Sequence, residues 1–294
     1  MLRNEDIGIL VEALPYLRDF KDKVVVVKFG GKSMTDPTLR KQLLQDIIFL
    51  QCAGLRPIMV HAAGPEVPQM LQKAGKKPAF VNGLRVTDEE AVALTEMALV
   101  GRTNTDLVAE VNRLGGKAVG LNGKDANLIV AKKHLADVYE NGEVNLVDIG
   151  FVGSVEAVNT ELLNVLLDAG YIPVIAPTGV GLQGESYNIN ADSAAGKIAG
   201  ALKAEKLIVL TDVKGIYEDY HDENSFLSTL SFEKAQELII RGSIDGGMIP
   251  KVKACITALS GGARKAHIVD GRVDHAILAE IFSDEGIGTE VVRA

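Results

Sequence analysis

A chain of 294 residues with a formal net charge of -8 and no basic cluster argues against nucleic acid as the main ligand, so any anionic substrate must be held by local donors. Hydrophobic residues at 47% and charged residues at 24% give an ordinary globular balance, enough for one large α/β domain or two closely joined lobes. No apolar run approaches a membrane span, Met1 to Asp6 lacks a signal-peptide pattern, and Cys52 and Cys255 form no motif, which together fit a reducing, cytoplasmic setting with no membrane partner.

The first 20 residues stand apart. Asn4 is placed to cap a helix with Ile7, Leu10, Val11, Leu14 and Leu17 on one face, and Pro15 should kink it by clashing with the carbonyl of Val11. Such a helix either folds back on its own domain or exchanges with a neighbouring subunit. From Lys23 onward strand-like and helix-like stretches alternate, the signature of a parallel sheet with crossover helices. Lys23 to Phe29 is a nearly continuous apolar strand, suited to burial on both faces, that runs into Gly30-Gly31. Asp36 and Pro37 then open a helix striped by Leu39, Leu43, Ile47 and Leu50 and ended by Gly54. Pro57 to His61 predicts a second strand, followed by Ala62-Ala63-Gly64 and a helix beginning near Pro65. Thr87-x-x-Glu90 reads as a capping box for a long helix toward Gly115. Further strands are expected at Ala118–Leu121, Tyr171–Ala176, Lys206–Leu210 and Ala266–Val269, with a polar edge or hairpin over Lys132 to Asn145. Glycines clustered over Pro177–Gly184 mark a soft lobe boundary, dividing residues 21–178 from 179–294.

In open parallel sheets ligands gather at the carboxyl ends of the strands. Glycine loops stand there at Gly30-Gly31, Ala62-Ala63-Gly64 and Gly123-Lys124-Asp125, and none is a dinucleotide fingerprint or a P-loop. Phosphoryl transfer needs positive charge around the moving group. Lys28 lies at the end of an apolar strand, one residue before Gly30-Gly31, and Lys251 follows Gly246-Gly247-Met248-Ile249-Pro250 at an expected helix start. An isolated lysine more commonly reaches solvent or pairs with a structural carboxylate. Asp192, in Asn188-Ile189-Asn190-Ala191-Asp192, reads locally as a helix N-cap.

Taken together, the motifs resemble the amino-acid kinase family over nearly the whole chain, and within it the branch acting on N-acetyl-L-glutamate. The resemblance is carried by Val27-Lys28-Phe29-Gly30-Gly31, Asn82 to Thr87, Gly120 to Asp125 and Gly150 to Gly153. It continues through Tyr187 to Asp192, Leu210 to Val213, Gly246 to Val252, Ala266 to Arg272 and Gly286 to Thr289. It implies a three-layer αβα sandwich around a mainly parallel sheet, preceded by a kinked N-terminal helix. It also implies transfer of the terminal phosphate of ATP to the side-chain carboxylate of the acyl amino acid. On that resemblance Lys28 and Lys251 would stabilise charge on the moving phosphoryl group, and Asp192 would hold both lysines. Arg85 and Asn188 would grip the acyl amino acid, with Ala63 and Gly64 beside it. The nucleotide would lie against Gly30, Gly31, Thr211, Asp212, Val213, Gly215, Ile216, Tyr217, Ser243, Ile244 and Asp245. Mg2+ would be held mainly by phosphate oxygens, with no dedicated protein metal site. Residues 21–178 would bind the acyl amino acid and dimerise, and 179–294 would bind ATP and an inhibitor.

An extension ending in Ala13-Leu14-Pro15-Tyr16 resembles that of arginine-inhibited hexamers, trimers of dimers interlaced by these helices. Tyr16, Lys206, His267, Glu280 and Gly286 would then contact arginine, and a nitrogen-signalling regulatory protein is a candidate partner. One departure stands out. The family's glycines after the histidine matching His61 are here Ala62-Ala63. Either both positions have negative φ and tolerate the methyl group, or the chain is a catalytically weakened arginine- or nucleotide-binding relative. A kinase of the same family acting on aspartate, glutamate, carbamate or UMP is the remaining alternative.

Overall fold

Residues Val24–Phe29 (β1) form a strand with every residue after Val24 buried. Its alternate side chains enter different cores: Val26 packs on one face of the sheet, and Val25, Val27 and Phe29 on the other. That two-sided burial is why the strand reads as an apolar run rather than as an alternating one. The computed structural model describes residues 11–76, 79–81, 84–140, 143–244, 246–283 and 286–293. In chain order the other main strands are Arg56–His61 (β2), Ala118–Asn122 (β3), Ile172–Ala176 (β4), Lys206–Thr211 (β5), Thr229–Ser231 (β6), Lys265–Asp270 (β7) and Thr289–Val292 (β8). They form one eight-stranded sheet in the order β6-β8-β7-β5-β1-β2-β4-β3. Only β7 and β8 pair antiparallel.

The described helices include Leu14–Phe20 (α1), Pro37–Cys52 (α2), Glu89–Ala98 (α3), Thr105–Arg113 (α4), Glu161–Asp168 (α5), Ala191–Ala201 (α6), Phe232–Ile240 (α7), Met248–Gly261 (α8) and Ala276–Phe282 (α9). Leu163, Ile198, Leu238 and Cys255 bring α5 to α8 onto the face that receives Val26. Leu43, Ile47, Leu107 and Ile277 bring α2, α4 and α9 onto the opposite face. The three-layer arrangement follows: a sheet apolar on both faces must be covered twice.

Local expectations hold at several ends. Asp36 caps α2, accepting from the amides of Thr38 and Leu39, and Leu43, Ile47 and Leu50 of the expected stripe are buried. The polar stretch after Leu128 forms antiparallel strands Ile129–Glu140 and Glu143–Val158. The N-terminal helix breaks at Ala13 and resumes at Leu14 with Pro15 in its first turn. Asn4, Ile7 and Leu10 lie outside the described residues. Tyr16 and Phe20 bring α1 onto its own domain by meeting Phe282 edge-on, while Val11 and Leu14 stay 65% and 61% exposed.

The capping box is corrected by one residue. Asp88, not Thr87, caps α3 by accepting from the amide of Ala91, because Thr87 is held in a bridge to Gly150. The long helix is also not uniform: Leu99–Asn104 is a π-helical stretch between α3 and α4.

Candidate active site

Two helices that cross closely create the charged centre. A Cβ on Gly196 of α6 would lie 2.5 Å from the carbonyl oxygen of Ala254 in α8, and one on Gly261 would lie 2.7 Å from the Cα of Gly200. Small residues therefore let the two backbones touch, and the first turns of α6 and α8 come together at the carboxyl end of β1. Asp192 is 3.0 Å from the Lys28 Nζ and 3.2 Å from the Lys251 Nζ. The local N-cap reading of Asp192 is overturned, since the Asn190 side chain caps α6 by accepting from the Ser193 amide. Asp192 is left to carry both lysines.

Lys28 and Asp192 are almost fully buried, and the Lys251 side chain is 16% exposed. Burial pushes the Lys28 ammonium below the usual lysine range, Asp192 pulls the other way, and nearby Lys251 lowers it further. Two ammonium groups around one carboxylate leave a net positive centre. An anion placed against it would offset the mutual repulsion of the lysines.

A cavity of about 810 Å3 opens beside this centre. Thr211, Asp212, Val213, Gly215, Ile216, Tyr217, Ser243 and Ile244 all line it, and Lys251 stands at its edge. Asp245 lies outside the described residues. Tyr220, His221 and Arg241 also line the cavity and were missed, because they flank the recognised motifs without belonging to them; Met248, inside the Gly246 to Val252 motif, lines it too but was given no role. Gly30 and Gly31 lie at the end of β1. Gly31 has φ +68°, and a Cβ there would lie 2.7 Å from both carboxylate oxygens of Asp212, one of which also accepts the amide of Lys32 at 2.9 Å. This position needs glycine on both counts. The volume, Lys251 at the edge and the glycine backbone are compatible in size and charge with a nucleoside triphosphate. Among the described residues no three His, Cys, Asp or Glu side chains converge as a metal set.

Across the sheet, β1 and β2 end in register, with Phe29 beside His61 and the amide of Ala62 donating to the carbonyl of Phe29 at 2.7 Å. Neither Ala62 nor Ala63 has positive φ, so the alanines carry no left-handed strain. Gly64 is buried and Ala63 exposed. Arg85 and Asn188 sit in short strands, Leu84–Arg85 and Ser186–Ile189. Asn188 pairs with Thr178 and Val152, while the strand of Arg85 runs on to Thr87, which bridges to Gly150 in the same long strand as Val152.

His61 is fully buried, and burial lowers its pKa to about 4, opposed only in part by its hydrogen bond to the carbonyl of Ala62. An unfolded chain protonates this histidine near pH 6.5, before the folded one does. Stability present above pH 6.5 is therefore lost on acidification toward pH 4, by about 3 kcal/mol from this group. Denaturant unfolding at pH 7 and pH 4.5 should show a smaller acid loss for His61→Gln than for the parent. Equal losses would mean that His61 is not the group responsible.

A second cavity, of about 950 Å3, lies where α1 and α9 meet the edge of the sheet, and Tyr16, Lys206, His267, Glu280 and Gly286 all line it. Glu280 accepts from the amides of Ile287 and Gly288 and stands 2.7 Å from the Nδ1 of His267. Burial would raise its pKa, yet these partners together hold it below the usual carboxylate range.

The sequence profile of the amino acid kinase family matches residues 23–270. The chain belongs to the amino acid kinase family. A relative named acetylglutamate kinase, from Moorella thermoacetica, is 51% identical over 98% of this chain and 97% of its own length. Among solved structures, N-acetylglutamate synthase from Neisseria gonorrhoeae complexed with coenzyme A and L-arginine is similar with a TM-score of 0.77 and 25% identity. That likeness covers 97% of this chain but only 65% of the synthase. Carbamate kinase from Giardia lamblia bound to AMP-PNP shares the fold at 16% identity and a TM-score of 0.65, over 93% of this chain and 99% of its own. The segment matched by the amino acid kinase profile contains Lys28, Asp192 and Lys251.

Proposed function

We propose that the protein transfers the γ-phosphoryl group of ATP to the side-chain carboxylate of N-acetyl-L-glutamate, giving N-acetyl-L-glutamyl 5-phosphate and ADP in arginine biosynthesis. The observation that carries this reading is the buried Asp192 joining Lys28 to Lys251, which lines the cavity, in a chain about half identical to an acetylglutamate kinase over nearly its whole length. The acceptor carboxylate, with a pKa near 4.3 when unperturbed, is ionised at neutral pH and needs no general base. Its oxygen forms the new bond to phosphorus as the bond from phosphorus to the bridging oxygen of ADP breaks. Lys28 and Lys251 offset the repulsion between the two anions and the charge on the moving group, and Asp192 keeps them apart and aimed. Arg85 and Asn188 are assigned to the acyl amino acid, with Ala63 and Gly64 beside it. Mg2+, held by phosphate oxygens, supplies further charge neutralisation when bound.

Residues 21–178 are assigned to acyl-amino-acid binding and dimerisation, and residues 179–294 to ATP and regulation. The second cavity is assigned to arginine: Glu280 suits a guanidinium or ammonium group, and Lys206 a carboxylate. Exposed Val11 and Leu14 support exchange of the N-terminal helix between dimers in a hexamer. No described helix is long and apolar enough to cross a membrane, and a cytoplasmic location is part of the proposal. The absence of positive φ at Ala62 and Ala63 disfavours a catalytically weakened relative.

ATP-dependent acyl-phosphate formation with N-acetyl-L-glutamate, trapped by hydroxylamine with and without arginine, tests the reading. Turnover suppressed by arginine is expected. No turnover from folded, ATP-binding protein would move the assignment to another acceptor or to a binding role.

A further inference from the structure

The π-helical stretch Leu99–Asn104 turns two successive polar residues, Thr103 and Asn104, into the interior, each only 3% exposed. The Asn104 amide nitrogen stands 3.1 Å from the Nε2 of His61 and donates to the carbonyl of Val174 at 2.8 Å. Its space exists because residue 120 is glycine, where a Cβ would collide with the Asn104 side-chain oxygen. On the other side of the ring, His61 Nδ1 is 3.1 Å from the carbonyl oxygen of Ala62.

These contacts admit one arrangement of protons. The Ala62 carbonyl can only accept, so Nδ1 carries the hydrogen. The amide nitrogen of Asn104 can only donate, so Nε2 is bare. The ring is then neutral, consistent with its complete burial. Donation from Nδ1 fixes the carbonyl of Ala62, and because the peptide is planar and trans, the amide of Ala63 points away from the ring. The same residue packs beside the phosphoryl centre: a Cβ built on Gly30 would lie 3.0 Å from the Ala62 Cβ and 2.9 Å from the Lys28 Nζ.

We propose that Asn104 and His61 are positioning residues for phosphoryl transfer: Asn104 selects the Nδ1–H form of His61, which orients the Ala62–Ala63 peptide so that the Ala63 amide faces the reacting groups. This rests on the kinase reading above. The pair makes no contact with substrate and acts through the loop. Its effect belongs mainly in kcat rather than in KM, because a misdirected Ala63 amide leaves the nucleotide cavity and the contacts assigned to Arg85 and Asn188 in place.

The test has two parts. In the parent protein, nitrogen NMR of histidine side chains at pH 7, with His61→Gln used to assign the signal, should find His61 neutral with its proton on Nδ1. A proton on Nε2, or an imidazolium, would overturn the proposal without reference to activity. In kinetics, His61→Asn places an amide donor where Nδ1 stood and should retain at least about a tenth of kcat. His61→Gln places its amide at the Nε2 position instead and should lose about a hundredfold in kcat, the cost of a misplacement near 1 Å. KM for both substrates should change less than about threefold in either variant. Equal losses in the two variants, or losses confined to KM, would defeat the positioning role. An inactive parent protein with the Nδ1–H form intact would instead count against the kinase reading.

Discussion

Lys251→Ala is expected to lower turnover by about a thousandfold or more while leaving the fold intact. Lys251 is the more exposed of the two lysines and stands at the start of α8, facing Asp192 and the nucleotide cavity. Truncation removes one positive charge from the place where the phosphoryl group passes, and losing one preorganised donor to developing charge costs about 10²–10³ in kcat. Loss of the full charge at a site shared by two anions should reach the upper end or exceed it, a barrier increase of about 4 kcal/mol. Stability should move little, because the side chain reaches solvent and Asp192 keeps Lys28. Steady-state kinetics together with denaturant unfolding separate the two effects. Near-normal turnover would remove Lys251 from the mechanism.

Asp192→Asn should damage both activity and stability. Its carboxylate pairs with both lysines, neither lysine has another acidic partner among the described residues, and it is buried with Lys28. Without it, two ammonium groups face one another in a site where Lys28 is already penalised by burial and by Lys251. Removing one member of a buried ion pair costs about 3–5 kcal/mol, because the remaining charge is left without compensation. Part of that cost can be relieved if Lys28 gives up its proton, and the enzyme would then lose the charge that it needs. Turnover should fall about a hundredfold or more through misplacement of both lysines. Addition of a nonhydrolysable ATP analogue should restore some stability, since an anion supplies the missing counter-charge. A variant as stable and as active as the parent would show that Asp192 holds neither lysine in place.

The two variants differ in a useful way. Lys251→Ala tests charge at the reacting group, and Asp192→Asn tests the scaffold that sets its position. A large kinetic loss in both, with instability only in the second, is the pattern that the burial of the three residues predicts.

Much of the architecture was legible in the sequence for a simple reason: strands buried on both faces must be apolar along most of their length. The runs expected to end at Phe29, His61, Ala176, Leu210 and Val269 stand out wherever they are read, and the structure extends the last two by one residue each. Asp36 was legible as a cap because capping is local, using amides two and three residues ahead. At Thr87 the same logic failed. A distant strand claimed that residue through Gly150, and the adjacent Asp88 took the cap. The short strands Thr178–Val180 and Ser186–Ile189 were also invisible locally, since they are too brief to carry a period and exist through pairing with each other and with the long hairpin.

The residues of the charged centre were named from motifs, but only the packing of α6 on α8 brings Lys251 to Asp192, which stands 59 positions away in the chain. Glycines at positions 196, 200 and 261 carry that contact, and nothing in the order of glycines along a chain says which will face another helix. The partnership of His61 and Asn104 depends likewise on the space above Gly120, which is remote from both in sequence. By itself the sequence determined which segments are apolar, where a local cap is available and which residue types stand at strand ends, because these depend on neighbours along the chain. The tertiary structure decided which lysine meets which carboxylate, which histidine is held neutral and which strand claims Thr87, because those outcomes depend on burial and on partners remote in sequence.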